Sequence, residues 1–191
     1  MATATASGDG AENAVAHITG TTATKLLWPA NSIPSTFTLC SVTRYNGATR
    51  SRILQCNGVN WFHGHWAEKR GQAYYSASKT DGGVSHGVQD DWLVMCGTNA
   101  GATNPGNIIL DQDEIGTADG GTGGCPLSIG YNGEASDWAL HSVLVWDYSL
   151  GTVPVPLHAT PCPSIQVTVR VDVSLSMVRF SGVCIRCRRA G

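Results

Sequence analysis

Residues 134–150, EASDWALHSVLVWDYSL, decide the fold class. An acidic, Gly-flanked turn leads into a long apolar run ending in Trp-Asp-Tyr. Along the run one face reads Trp138, Leu140, Ser142, Leu144, Trp146, Tyr148, and the other Ala139, His141, Val143, Val145, Asp147. A period of two with apolar groups on both faces predicts a strand buried inside a sandwich, and both Trp138 and Trp146 are expected in the core.

The rest of the chain supports an all-β reading. Strand patterns are expected at Val15–Ile18, Thr36–Tyr45, Arg52–Cys56, Gln72–Ser76, Asp91–Cys96 and Asn107–Leu110, with turn-forming Gly, Asn, Ser and Thr between them. On Thr36–Tyr45 one face carries Phe37, Leu39 and Tyr45, the other Cys40 and Val42. Asn46-Gly47 predicts a hairpin turn, with Arg52–Cys56 as the return strand. No window reads as a long amphipathic helix, and no apolar run approaches the roughly 20 residues of a membrane span.

Three segments follow. Residues 1–12 are expected to be an unstructured lead-in, residues 13–151 the folded domain, and residues 152–191 a Pro-rich linker with an atypical tail. In that tail Ile165, Val167, Val169, Val171, Val173, Leu175 and Met177 alternate as one possible strand. The N-terminus has neither the basic start nor the apolar stretch of a secretory signal. The net charge is −2, but residues 1–150 sum to −6 and the tail to +4. Arg186, Arg188 and Arg189 suit acidic partners; without interleaved aromatics they make no case for nucleic acid.

The seven cysteines cannot all pair within the chain. Cys40, Cys56 and Cys96 lie in or at the end of apolar runs, and a buried small hydrophobe is the expected role of each. Cys184-x-x-Cys187 has no second half for a zinc site.

The segments 35–47 (STFTLCSVTRYNG), 52–54 (RIL), 60–66 (NWFHGHW), 90–95 (DDWLVM) and 136–150 (SDWALHSVLVWDYSL) resemble the concanavalin A-like lectin/glucanase superfamily, and more narrowly a laminin-G-like jelly-roll domain. The resemblance spans roughly residues 34–150 and stops where Gly151 begins a Pro-Val run. It implies a jelly-roll β-sandwich of two antiparallel sheets. It also implies binding of a glycan or glycoprotein by a module of a surface, matrix or adhesion protein, outside the cell or on its surface. An assembly module that packs against other protein chains is the alternative, and a glucan-active glycoside hydrolase the third.

Trp61, Phe62, Trp66, Tyr74 and Tyr75 form the densest aromatic cluster, of which half or more are expected in the core. The expected ligand-binding residues are Asn60, Trp61, His63, His65, Trp66 and Tyr74, with Asn57 and Asp90 as further hydrogen-bonding groups. Rings stack on sugars and polar side chains meet hydroxyls. His63 and His65, two apart on a strand, share a face and suit a metal only with a third ligand; support by hydrogen bonding is the preferred role. Asp111, Asp113 and Glu114, to which Asp119 and Asp137 could add, offer hard oxygen ligands for calcium, although a solvated acidic loop is the preferred account of so incomplete a set. The Glu-x-Asp-x-x-Glu pattern of retaining glucanases is missing, so no catalytic residue is expected. Gly83-Val84-Ser85-His86-Gly87 fits a nucleophile elbow in letters but lacks the strand and helix around it, and Ser85 is expected to be a loop residue.

Overall fold

A computed structural model describes residues 1–99, 107–111, 113–116 and 120–149, and the backbone of 172–174 and 177–179. The chain divides into two units, Met1–Thr152 and Val153–Gly191. The described residues contain no helix, hence none long and apolar enough to cross a membrane.

Among the described residues of the first unit, twelve strands form two antiparallel sheets. The larger runs β1 (Ala2–Gly8), β2 (Ala11–Gly20), β12 (Trp138–Trp146), β4 (Thr38–Tyr45), β8 (Leu93–Thr98), β9 (Ile108–Leu110), β10 (Asp113–Glu114). The smaller runs β3 (Leu26–Leu27), β11 (Leu127–Ile129), β5 (Leu54–Cys56), β6 (Trp61–Trp66), β7 (Lys69–Tyr75). The sheets face each other in a sandwich-like arrangement around one apolar core. Phe37, Leu39, Tyr45, Leu93, Met95 and Trp138 enter it from one sheet, and Leu54, Trp61, Tyr75 and Ile129 from the other. This confirms the all-β reading of the sequence.

Strand β4 keeps its predicted alternation: Leu39, Ser41, Thr43 and Tyr45 are buried, while Cys40, Val42 and Arg44 are half-buried on the outer side. Strand β12 does not. Its register against β4 shifts between Leu140 and Ser142, so His141 is an extra residue, and its ring Nδ1 meets the Ala16 carbonyl oxygen at 2.6 Å. A bulge reverses which residues face inward. Trp138 and Leu140 point into the core before it; Val143 and Val145 do so after it. Trp146, expected in the core, is half-buried and outside the core cluster. The bulge predicts an asymmetry between neighbours. Val143→Asp places a charge among core side chains and is expected to cost about 3 kcal/mol or more in urea unfolding, while Leu144→Asp costs under about 1 kcal/mol. Equal costs would contradict the reversed phase.

The Asn46-Gly47 turn also departs from expectation. Strand β4 pairs with β12 and β8, whereas β5 pairs with β6 and β11 in the other sheet, so the segment crosses between sheets. The crossing is held by Asp137. The Asn46 N–H donates to its carbonyl oxygen at 3.0 Å, and its carboxylate accepts from Thr49 N at 3.1 Å and Thr22 N at 3.4 Å. Gly47 is needed for approach rather than for φ, because a Cβ there would lie 2.6 Å from the Asp137 Cβ.

Residues 2–8, expected as an unstructured lead-in, form β1 and pair with β2 around a Gly8-Asp9-Gly10 turn in which all three residues have positive φ. The turn is tied back to β4 and the start of β8. Trp92 N–H donates to the Asp9 carbonyl at 2.8 Å, the Asp9 carboxylate pairs with Arg44 at 3.0 Å, and His17 packs edge-on against Trp92. These contacts curl the larger sheet.

Two disulfides correct the expectation of free, buried cysteines. Cys40–Cys96 links β4 to β8, and Cys56–Cys125 links β5 to the residues preceding β11. Cys40 and Cys96 stand directly opposite each other on neighbouring strands with Cα atoms 4.0 Å apart, whereas Cys125 lies two residues before the Leu127 that opposes Cys56, at a Cα separation of 5.8 Å. In the second unit Asp172–Ser174 (β13) pairs antiparallel with Met177–Arg179 (β14), so the chain reverses where one long strand was expected. The rest of that expected strand, with Cys162, Cys184, Cys187 and the arginine-rich end, lies outside the described residues.

Candidate functional site

The stretch WFHGHW divides its side chains between the two faces of the smaller sheet. Trp61, His63 and His65 turn inward; Phe62 and Trp66 turn outward. Gly64 between them has φ +95°, and the register against β7 shifts at the next residue. This bend brings the Phe62 and Trp66 ring centroids to 5.4 Å with planes 24° apart, where a regular strand holds residues four apart at roughly 13 Å. Tyr74 stands opposite Phe62 on β7, its ring 5.7 Å away at 19°. Tyr74, Phe62 and Trp66 thus form one stacked row on the outer face.

The row has polar borders. The Arg52 guanidinium lies 4.6 Å over the Phe62 ring and contacts the Glu134 carboxylate. Burial lowers the Arg52 pKa from its ordinary value, with the neighbouring Glu134 acting against that shift. Ser136 Oγ donates to the Arg52 carbonyl at 2.9 Å and so fixes the backbone that carries the guanidinium. Beyond Trp66, Gln72 Nε2 donates to the carbonyls of Val84 at 2.6 Å and Asp81 at 3.3 Å, and a Cβ on Gly82 would touch the Trp66 ring at 3.5 Å. The loop after β7 therefore walls that end. Gln55 is in register with Phe62, is fully buried, and has no hydrogen-bond partner for either amide atom.

Phe62 is only 5% exposed, so Trp66 and Tyr74, both half-buried, present the row to solvent. Asn60 is exposed in the turn before β6. Asn57 is half-buried there, with its N–H donating to the Pro126 carbonyl. Asp90 pairs with Arg50 at 2.6 Å.

Trp61, His63 and His65 are corrected as ligand contacts, being 1%, 0% and 0% exposed. Trp61 stacks on Tyr75 at 4.9 Å and packs near Phe37. His63 bridges the sheets: Tyr75 O–H donates to Nδ1 at 2.7 Å, and Nε2–H donates to the Met95 carbonyl at 3.2 Å. Burial pushes its pKa down to about 4, opposed by the Met95 hydrogen bond. His65 packs edge-on to Tyr45 and lies 3.4 Å from Thr43 Oγ1, with its Nε2 unpartnered. Burial, then the charges of Arg70 and His63, push its pKa down to about 3. The same burial raises both tyrosine hydroxyls well above their usual range, so Tyr45 and Tyr75 stay protonated donors.

The acidic residues form no cation site among those described, where no group of three His, Cys, Asp or Glu side chains is gathered. Asp111 is committed elsewhere: its carboxylate pairs with buried Arg70 at 3.1 Å and accepts from Val94 N at 3.2 Å. Asp113 and Glu114 are exposed on β10, Asp137 holds the sheet crossing, and Asp119 lies outside the described residues. Ser85 is a loop residue, its Oγ accepting from Arg70 N at 3.3 Å.

Of the residues expected from sequence, Trp66 and Tyr74 lie in this row, whereas Arg52, Glu134 and Gln72 beside it carry no sequence signal that singled them out. The period of two in WFHGHW was the available signal, since it separates 62 and 66 from 61, 63 and 65. Nothing local marked Arg52 or Glu134, which meet only through the fold. Compared with known proteins, the chain matches no family model, no curated protein and no solved structure.

Proposed function

We propose that the first unit is a non-catalytic carbohydrate-binding module, a concanavalin A-like jelly roll in topology, that takes a glycan or glycoprotein on the outer face of its smaller sheet. The observation that carries this reading is the stacked row Tyr74–Phe62–Trp66 bordered by Arg52 and Glu134. Flat apolar rings suit the C–H faces of sugar rings, and the Glu134 carboxylate, half-buried and held by Arg52, supplies acceptors for hydroxyls. Two disulfides support an oxidising setting, in keeping with a surface or matrix protein. Neither a catalytic carboxylate pair nor calcium enters this reading, since the glucanase pattern is missing, and Asp111 and Asp137 are committed to the fold.

A glycan array tests it, run with wild type and Trp66→Ala, each with calcium and with chelator. Wild type is expected to bind a limited set of glycans, Trp66→Ala to lose at least about tenfold in affinity, equal to about 1.4 kcal/mol, and calcium to make no difference. Binding unaffected by Trp66→Ala would move the site elsewhere. Hydrolysis of laminarin-type glucans by wild type would overturn the non-catalytic assignment.

A further inference from the structure

A sheet edge carries unpaired main-chain groups, and proteins ordinarily blunt such edges with short strands, charges, proline or a covering loop. Of the four edges of the two sheets described in the first unit, three are blunted. Strand β10 is two residues long and both are acidic. Strand β3 is two residues long and is followed closely by Pro29. The free side of β7 is occupied by the chain that follows it: Tyr75 N–H donates to the Ala77 carbonyl, Lys79 N–H to the Ala73 carbonyl, Ala73 N–H to Thr80 Oγ1 and His86 N–H to the Arg70 carbonyl.

Strand β1 is different. It is seven residues long, every residue is exposed, and ATATASG contains no charge and no proline. Its bulge lies at the Gly8 end, so Ala2–Ala6 run in unbroken register from Thr19 to Val15 of β2. Among the described residues it is the one long edge left open, and its composition lacks the devices that keep other strands away.

We infer that β1 is a pairing edge for a second copy of this chain, joining two larger sheets through antiparallel β1–β1 pairing about a twofold axis. The occupant follows from the sequence of the unbroken stretch. Ala2-Thr3-Ala4-Thr5-Ala6 reads the same in both directions. An antiparallel copy centred on Ala4 therefore sets Ala2 against Ala6 and Thr3 against Thr5, with small side chains opposed to small ones and hydroxyls to hydroxyls on matching faces. No charge opposes a like charge. The interface is isologous, so it closes at two copies and uses up the open edge. It is independent of the carbohydrate reading, because β1 and the aromatic row belong to different sheets.

Sedimentation of the full chain over a range of concentrations tests this, with Ala4→Lys, Ala4→Glu and their equimolar mixture. Ala4 is exposed, and thermal melts verify that each variant folds. Wild type is expected to show a reversible monomer–dimer equilibrium. Each variant alone sets like charges directly opposite and is expected to weaken the dimer at least tenfold. The mixture sets Lys against Glu and is expected to restore it. A wild type that stays monomeric at every concentration overturns the inference, as do variants that dimerise unaided or a mixture that stays monomeric.

Discussion

Removing the Cys56–Cys125 bridge, as Cys56→Ala with Cys125→Ala, is expected to lower the stability of the first unit by roughly 4 kcal/mol. The bridge joins positions 69 apart in sequence and so restricts a long loop in the unfolded chain. Cys40–Cys96, with a separation of 56, is expected to give a similar loss, because the entropy of closing a loop depends only logarithmically on its length. Domains of this size are stable by roughly 5–15 kcal/mol, so losing both bridges consumes most or all of that margin. Urea unfolding with and without reductant measures the effect. A midpoint that does not move on full reduction would contradict the bridges as structural.

Acidification from pH 7 to pH 5 is expected to destabilise the fold through His63 and His65. Both have folded pKa values well below the ordinary value of 6.5, at about 4 and about 3. Below pH 6.5 the unfolded chain takes up protons at these positions while the folded chain does not, so stability falls as pH falls. The decline continues until the folded histidines themselves protonate. Two such groups give a slope approaching 2.8 kcal/mol per pH unit, or roughly 3 to 4 kcal/mol lost by pH 5. His65→Leu removes one titrating group and a buried unpartnered nitrogen, and is expected to halve the slope. Equal unfolding free energies at pH 7 and pH 5 for wild type would contradict neutral, buried histidines.

The period-two pattern made β4, β8 and β12 readable as strands, since they are apolar enough for their alternation to show, although the bulge breaks the phase of β12. Features that depend on partners far along the chain stayed hidden. No glycine or proline marks the bulge at His141; it exists because Ser142 pairs with Val42 while Leu140 pairs with Thr43. Asn46-Gly47 has the letters of a hairpin turn, yet Asp137, some ninety residues away, diverts the chain to the other sheet. The Ala and Thr of β1 carry too little hydrophobicity to predict a strand, and pairing with β2 supplies what composition does not. The cysteine pairs could not be chosen from an odd count without knowing which strands are neighbours. In the candidate site, alternation separates Trp66 from the inward histidines, but the meeting of Arg52 with Glu134 over Phe62 is a product of tertiary structure.

The carbohydrate reading rests on two solvent-facing rings of one row, and calorimetric titration of the best array glycan into wild type and a Trp66→Ala, Tyr74→Ala double variant tests it most directly. Wild type is expected to bind at one site per chain, and the double variant to show no measurable heat while keeping the wild-type melting temperature within a few degrees. An equally stable double variant that binds with wild-type affinity would contradict the aromatic row as the binding surface.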